Sequence, residues 1–234
     1  MKKIAVISMG VKLDNEKGYS RFRYIGDFLS DAGYQVDLIT TTFQHWEKAQ
    51  RNLDEIKKEN YKFNLKFIYE PGYKKNIDFR RIRSHRIAAK NLRQLLEKEG
   101  DYDLIYCEIP PNDVALAAAE YAKAKDIPFV PDVNDLWPEA MRMVLDMPVI
   151  SNILFYPLLR DAEKVYSLVA GIIGTSDEYR DRPLKNQKLD VPKKTVYVGN
   201  EIAEFDAGVA EYGPQISKDE EEFWVSYAGT IGTS

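Results

Sequence analysis

Val130-Pro131-Asp132-Val133-Asn134-Asp135-Leu136-Trp137-Pro138-Glu139 places three carboxylates and a tryptophan where a strand runs out. The residues before it, Ile127-Pro128-Phe129-Val130, are apolar and partly β-branched, as a strand buried in a parallel sheet requires. After it, Asp135 is positioned to cap a new helix, with Pro138 and Glu139 in the first turn. In an open α/β sheet, ligands bind in the crevice beyond the carboxyl ends of the strands. The run therefore predicts an α/β fold and marks its functional edge. A plain helix cap with a tryptophan packed under it is the competing reading of the same residues.

Working outward, strand and helix patterns alternate. Strands are expected at Lys3–Ser8, Val36–Thr41, Asn64–Tyr69, Leu104–Glu108, Pro128–Asp132, Gly171–Thr175 and Thr195–Val198. Between them, Tyr19–Ala32 carries Phe22, Ile25, Phe28 and Leu29 on one helical face and ends at Gly33. Phe79–Lys98, the alanine-rich Val114–Ala124 and Ser151–Leu168 also read as helices, the last through Ile153, Leu154, Leu158, Ala162, Val165 and Tyr166. Ser176 should cap a short helix with Asp177 and Glu178 in its first turn. Such βαβ alternation predicts a doubly wound, mostly parallel, Rossmann-like sheet with right-handed crossovers.

Composition suits a water-soluble core-forming chain: 44% hydrophobic, 30% charged, net charge −4. No apolar stretch approaches the about 20 residues of a membrane-spanning helix, and the N-terminus has no signal-peptide pattern. The single cysteine, Cys107, lies in the apolar run Leu104-Ile105-Tyr106-Cys107 and reads as a buried bystander. These features suggest a cytoplasmic protein.

Charge is unevenly spread. From Lys74 to Arg93, eight basic residues, among them Arg80, Arg81, Arg83 and Arg86, face Asp78 alone. Phe79, Ile82, Ile87 and Leu92 interleave, giving an amphipathic helix with a basic face. A solvated surface helix would look the same. The functional reading is attraction to an anionic membrane surface or to the phosphates of a lipid-linked acceptor. Nucleic acid is disfavoured by the acidic whole. Gly10 and Gly18 are too far apart for a dinucleotide or Walker loop. Gly18, before Tyr19 and Ser20 at the head of the first helix, would still let a phosphate approach the backbone. His45 and His85 are isolated in sequence, which argues against a metal site.

The run Asp132 to Glu139 resembles the corresponding segment of bacterial family 4 (group 1) glycosyltransferases. Lys3-Ile4-Ala5-Val6-Ile7-Ser8 with Gly18-Tyr19-Ser20-Arg21, Ala170-Gly171-Ile172-Ile173-Gly174-Thr175-Ser176, and Tyr227-Ala228-Gly229-Thr230-Ile231-Gly232 match the family in the same order. The resemblance implies the N-terminal half of a two-domain GT-B enzyme. Residues 1–200 would form the acceptor-side Rossmann-like domain. The acidic stretch 201–222 would be a linker, and 223–234 the first strand and turn of a C-terminal domain. Phe223–Ala228 is then a strand without its sheet, expected to pack back on the domain or pair with a second copy.

The family's chemistry implies retaining transfer from a nucleotide-sugar donor to a glycan or lipid-linked acceptor in cell-surface polysaccharide synthesis, with no cofactor and no metal. Asp132, Asp135 and Glu139 would orient or deprotonate the acceptor hydroxyl. Gly18, Tyr19 and Ser20 would serve the donor phosphates and Asn200 the hinge. Two departures stand out: Asn134 replaces a histidine common in relatives, and Glu201 replaces the glycine after Asn200. A nucleotide-sugar epimerase and a non-catalytic carbohydrate-binding module remain open alternatives.

Overall fold

In the computed structural model, residues 1–13, 16–56, 60–76, 78–142, 148–199, 202–215 and 217–227 are described. Seven strands build one sheet: β1 (Lys3–Ile7), β2 (Gln35–Thr41), β5 (Asn64–Ile68), β6 (Leu104–Ile109), β7 (Phe129–Val133), β8 (Ile172–Gly174) and β9 (Lys193–Thr195). Their spatial order is β5-β2-β1-β6-β7-β8-β9, and every pairing in the sheet is parallel. Two further strands, β3 (Phe43–Gln44) and β4 (Ala49–Gln50), form a separate antiparallel hairpin. The chain runs outward to one edge, returns to the middle and runs out to the other edge. The strand order therefore reverses between β1 and β6.

Helices cover both faces, as a doubly wound sheet requires. On one face α1 (Arg21–Asp31) buries Phe22 against Val36, Leu38 and Tyr106, with Ile25 and Leu29 partly buried beside them. On the other, α3 (Phe79–Glu99), α4 (Asn112–Ala124) and α6 (Pro148–Tyr166) pack Ala88, Leu92, Ala115, Ala118, Ala119, Ala162 and Val165 onto Ile7, Ile105 and Phe129. The alanines of α4 let it sit between α3 and α6. The short helices are α2 (Leu53–Ile56), α5 (Glu139–Arg142) and α7 (Asp177–Asp181). Ser176 Oγ accepts from Tyr179 N, so the expected cap of α7 is present.

Several expectations need correction. The last strand lies at Lys193–Thr195, two residues before the expected start. Phe28 on α1 and Ile153 and Leu154 on α6 are exposed, because the sheet covers a narrower stripe of each helix than the apolar pattern offers. Asp135 does not cap a helix. Its Oδ1 accepts from Leu136 N and its Oδ2 from the Trp137 indole, and α5 starts only at Glu139.

Residues 1–197 form one compact unit and 198–234 a second. In the second, the stretch read as an acidic linker carries helix α8 (Ile202–Tyr212). Phe223–Tyr227 has no regular secondary structure, and Phe223, Trp224, Val225 and Tyr227 are exposed.

The close seat of α7 on β8 depends on Gly174, whose added Cβ would lie 2.4 Å from the backbone nitrogen of Arg180. That backbone cannot swing aside as a side chain would. Gly174→Ala should destabilise the domain by about 1–3 kcal/mol in chemical denaturation. An unchanged midpoint would show that the close approach is dispensable.

Candidate functional site

The reversal between β1 and β6 puts the loop after β1 and the end of β6 at a topological switch point, where open α/β sheets bind ligands. Glu108 lies there. Its Oε2 accepts from Ser8 Oγ at 2.8 Å, Met9 N at 3.0 Å and Gly10 N at 3.2 Å. Burial pushes the carboxyl up to about 7, with the charge of Asp132 adding to the effect against those hydrogen bonds. The residue as a whole keeps partial exposure.

One strand over, Asp132 pairs in register with Glu108. Its carboxylate is fully buried. Arg21 donates to it from Nε at 2.8 Å and Nη2 at 3.1 Å, and the Tyr106 hydroxyl donates at 2.5 Å. A third Arg21 nitrogen donates to the Tyr197 carbonyl at 3.2 Å. Burial and the Asp132 carboxylate push the Tyr106 hydroxyl far above its usual range, so it stays a donor. All of Asp132's reach is thus inside the protein.

The basic helix and the tryptophan run meet. Arg81 and His85, one turn apart on α3, both lie against Trp137: the guanidinium is 4.4 Å from the ring centroid and the imidazole stacks at 6.1 Å. Arg81 also lies 5.4 Å from the Tyr73 ring, whose hydroxyl meets His45 Nδ1 at 2.5 Å. Lys48 Nζ approaches the same Nδ1 at 3.4 Å. An ammonium only donates, so Nδ1 is an acceptor here and His45 carries its proton on Nε2. Burial and nearby cations push His45 down to about 4 and His85 to about 3, so both are neutral at ordinary pH. The two histidines, distant in sequence, therefore share one aromatic cluster around Tyr73. No metal-binding group of His, Cys, Asp or Glu side chains occurs among the described residues.

Of the residues singled out in sequence, Asp132 and Asp135 stand near the switch point, and Asp135 attracts Arg81. Glu139 points elsewhere, into a small cavity of about 50 Å³ that also touches Tyr166 and Arg182. Gly18 has φ +119°, and its missing Cβ leaves room for the Trp46 indole, against which Tyr19 packs edge-on at 5.1 Å. Ser20 precedes α1 with no capping hydrogen bond. Arg80, Arg83 and Arg86 are exposed, whereas Arg81 turns inward. Asn200 lies outside the described residues. Arg21, Tyr106 and Glu108 were not anticipated; a charged residue closing an apolar strand was the one available signal for Glu108.

The fold is that of a Rossmann-like GT-B domain: a mostly parallel seven-stranded sheet with helices on both faces. Solved proteins with this arrangement include a sucrose-phosphate synthase from Thermosynechococcus elongatus (TM-score 0.57, 13% identity, 91% of this chain and 53% of that one). UGT89C1 of Arabidopsis thaliana complexed with UDP (0.51, 14%, 90% and 57%) is similar. So is HepE of Anabaena in complex with UDP (0.51, 13%, 92% and 50%). The chain spans about half the length of these proteins. No protein-family profile matches it, and no curated protein does.

Asp132→Asn would leave Arg21 buried beside a neutral partner. Loss of one partner of a buried pair costs about 3–5 kcal/mol, so a large drop in urea stability is expected; a change under about 1 kcal/mol would show the pair to be dispensable.

Glu108 predicts a pH dependence. Its folded-state value, about 7, lies above the ordinary 4.5. Between those values the folded chain retains a proton that the unfolded chain has released, so stability falls as pH rises through this window and is level above it. From pH 5 to 8 the parent should lose about 2 kcal/mol more than Glu108→Gln. Asp113, also pushed up to about 7 by burial, is present in both proteins and cancels. Parallel pH profiles would overturn the assignment.

Proposed function

We propose that this chain is the N-terminal, acceptor-side domain of a family 4 glycosyltransferase, moving a sugar from a nucleotide-sugar donor to a glycan or lipid-linked acceptor in cell-surface polysaccharide synthesis. The observation that carries the reading is the carboxylate cluster at the carboxyl edge of a GT-B-type sheet, with Trp137 held beside it by Arg81. The UDP complexes of similarly folded proteins support a nucleotide-sugar donor. Most donor contacts would come from a C-terminal domain that begins near residue 223, with Asn200 at the hinge. Transfer would be retaining and independent of a metal.

In this reading Asp135 orients the acceptor hydroxyl, because its carboxylate is partly exposed and fixed by Leu136 N and Trp137. Glu139, turned into its own small cavity, would reach the acceptor only if the loop before it moves. Asp132 acts through Arg21 as a positioning residue. Glu108, raised toward neutrality by burial, has the proton affinity a general base needs at the switch point. On α3, Phe79 and Ile82 are exposed between Arg80, Arg83 and Arg86, a surface suited to peripheral contact with the inner face of an anionic membrane. No helix among the described residues is long and apolar enough to cross a membrane.

Residues 1–234 alone should transfer no sugar, lacking most of the donor site. In the full-length enzyme, Asp135→Asn should lower transfer from a UDP-sugar to a glycan acceptor by about a hundredfold. It keeps a hydrogen-bonding oxygen in place, so stability should shift by at most about 1 kcal/mol. Near-parental turnover would reject the role, and acceptor-independent turnover would mark an epimerase.

A further inference from the structure

A second pocket, of about 240 Å³, opens beyond the ends of β2 and β5, between the β3–β4 hairpin and the start of α3. Lys48, Lys74 and Arg80 line it, and its lining contains no carboxylate. Phe43, Pro71 and Tyr73 supply apolar walls. Its shape is built in. Gly72 has φ +84°, and an added Cβ there would lie 2.3 Å from the Phe43 ring. Lys48, at φ +56°, holds a left-handed backbone that a lysine adopts at a cost of about 1 kcal/mol or more.

The pocket lining itself carries three cations and no acid. Lys48 Nζ donates to Asn76 Oδ1 at 2.8 Å, and Arg81 donates to the Asn76 carbonyl at 3.0 Å. Both partners are neutral, and among the described residues neither cation forms an ion pair with a carboxylate. Burial and mutual repulsion hold Lys48 below the usual lysine range. Asp78 caps α3 through Arg80 N, and buried Glu70 accepts from Ser84 Oγ. Cations gathered around a cavity without a counter-ion lower their energy by binding an anion.

We propose that this pocket is an oxyanion subsite that takes a phosphate group carried on a sugar. That the sugar phosphate belongs to the acceptor rests on the glycosyltransferase reading above; the binding itself does not. The apolar walls would face the ring that bears the phosphate.

The test uses the 234-residue chain at fixed ionic strength in chloride, titrated by calorimetry with inorganic phosphate, glucose 6-phosphate and glucose. Phosphate should bind, glucose 6-phosphate should bind more tightly, and glucose should not be detected. Lys48→Met and, separately, the exposed Arg80→Met should each weaken phosphate binding about tenfold. A control, Lys125→Met with Arg160→Met, removes two distant charges and should leave it unchanged. Equal weakening in the control, or no phosphate binding by the parent, overturns the subsite. A further arm uses vesicles containing phosphatidic acid. Binding to vesicles alone would assign the basic surface to lipid and reject the pocket. Transfer is assayed separately in the full-length enzyme: phosphate binding with no transfer from a UDP-sugar by that enzyme would leave this proposal standing and sink the transferase reading, and transfer without phosphate binding would do the reverse.

Discussion

The buried pair of Arg21 and Asp132 is the constraint on which the site depends. It joins the first turn of α1 to the end of β7, and through Tyr106 and the Tyr197 carbonyl it reaches β6 and the segment after β9. Burial by itself would lower the arginine's proton affinity, but the hydrogen bonds and charge of Asp132 outweigh it and raise it. A guanidinium and a carboxylate held side by side satisfy several polar atoms at once, which isolated buried charges cannot do. Replacing a whole buried pair by packed apolar groups is often neutral for stability. Its contribution is geometric: it sets where α1 starts relative to the strand ends, and hence the mouth of the switch point.

A second clamp orients the tryptophan run. Trp137 is held from its own side by Asp135 and from α3 by Arg81 and His85. Helical spacing makes this possible, since residues four apart on α3 present their side chains to one place. Neutral His85 can stack on the indole, while a charged one would add repulsion to Arg81 and Lys48. The amphipathic character of α3 thus has two outcomes. Most of its arginines stay in water, and Arg81 is drawn in by two aromatic rings and an acid.

The strands of the sheet were legible because each is a short apolar run bounded by polar or breaking residues, and six of the seven begin and end within one residue of the expected bounds. The positions of Asp132 and Asp135 at the carboxyl end of a buried strand were legible for the same reason. Their partners were not. Arg21 and Asp132 are 111 residues apart, and nothing local distinguishes Arg21 from Arg23 beside it. His45 and His85 looked isolated because Tyr73, which joins them, is set by the hairpin and α3 together. The close approach of Trp46 to Gly18 is a contact that periodicity does not encode. Phe28 failed differently: its place in the apolar stripe was right, but a sheet covers only part of such a stripe.

The two clamps also separate charge along the carboxyl edge of the sheet. Glu108, Asp132 and Asp135 follow the central strands β6 and β7, while Lys48, Lys74 and Arg80 gather beyond β2 and β5. If these groups met, they would neutralise one another as ordinary surface ion pairs do, for example Arg93 with Glu120 on α3 and α4. They do not meet, because Tyr73, Trp137 and the two neutral histidines stand between them. Only Arg81 reaches across, facing Tyr73 on one side and Trp137 on the other. An aromatic partition that keeps acid and base apart leaves Asp135 and the pocket's cations without each other as partners, while Asp132 stays committed to Arg21. That is the arrangement a bifunctional ligand requires, with a hydroxyl presented to carboxylates and an anionic group presented to cations.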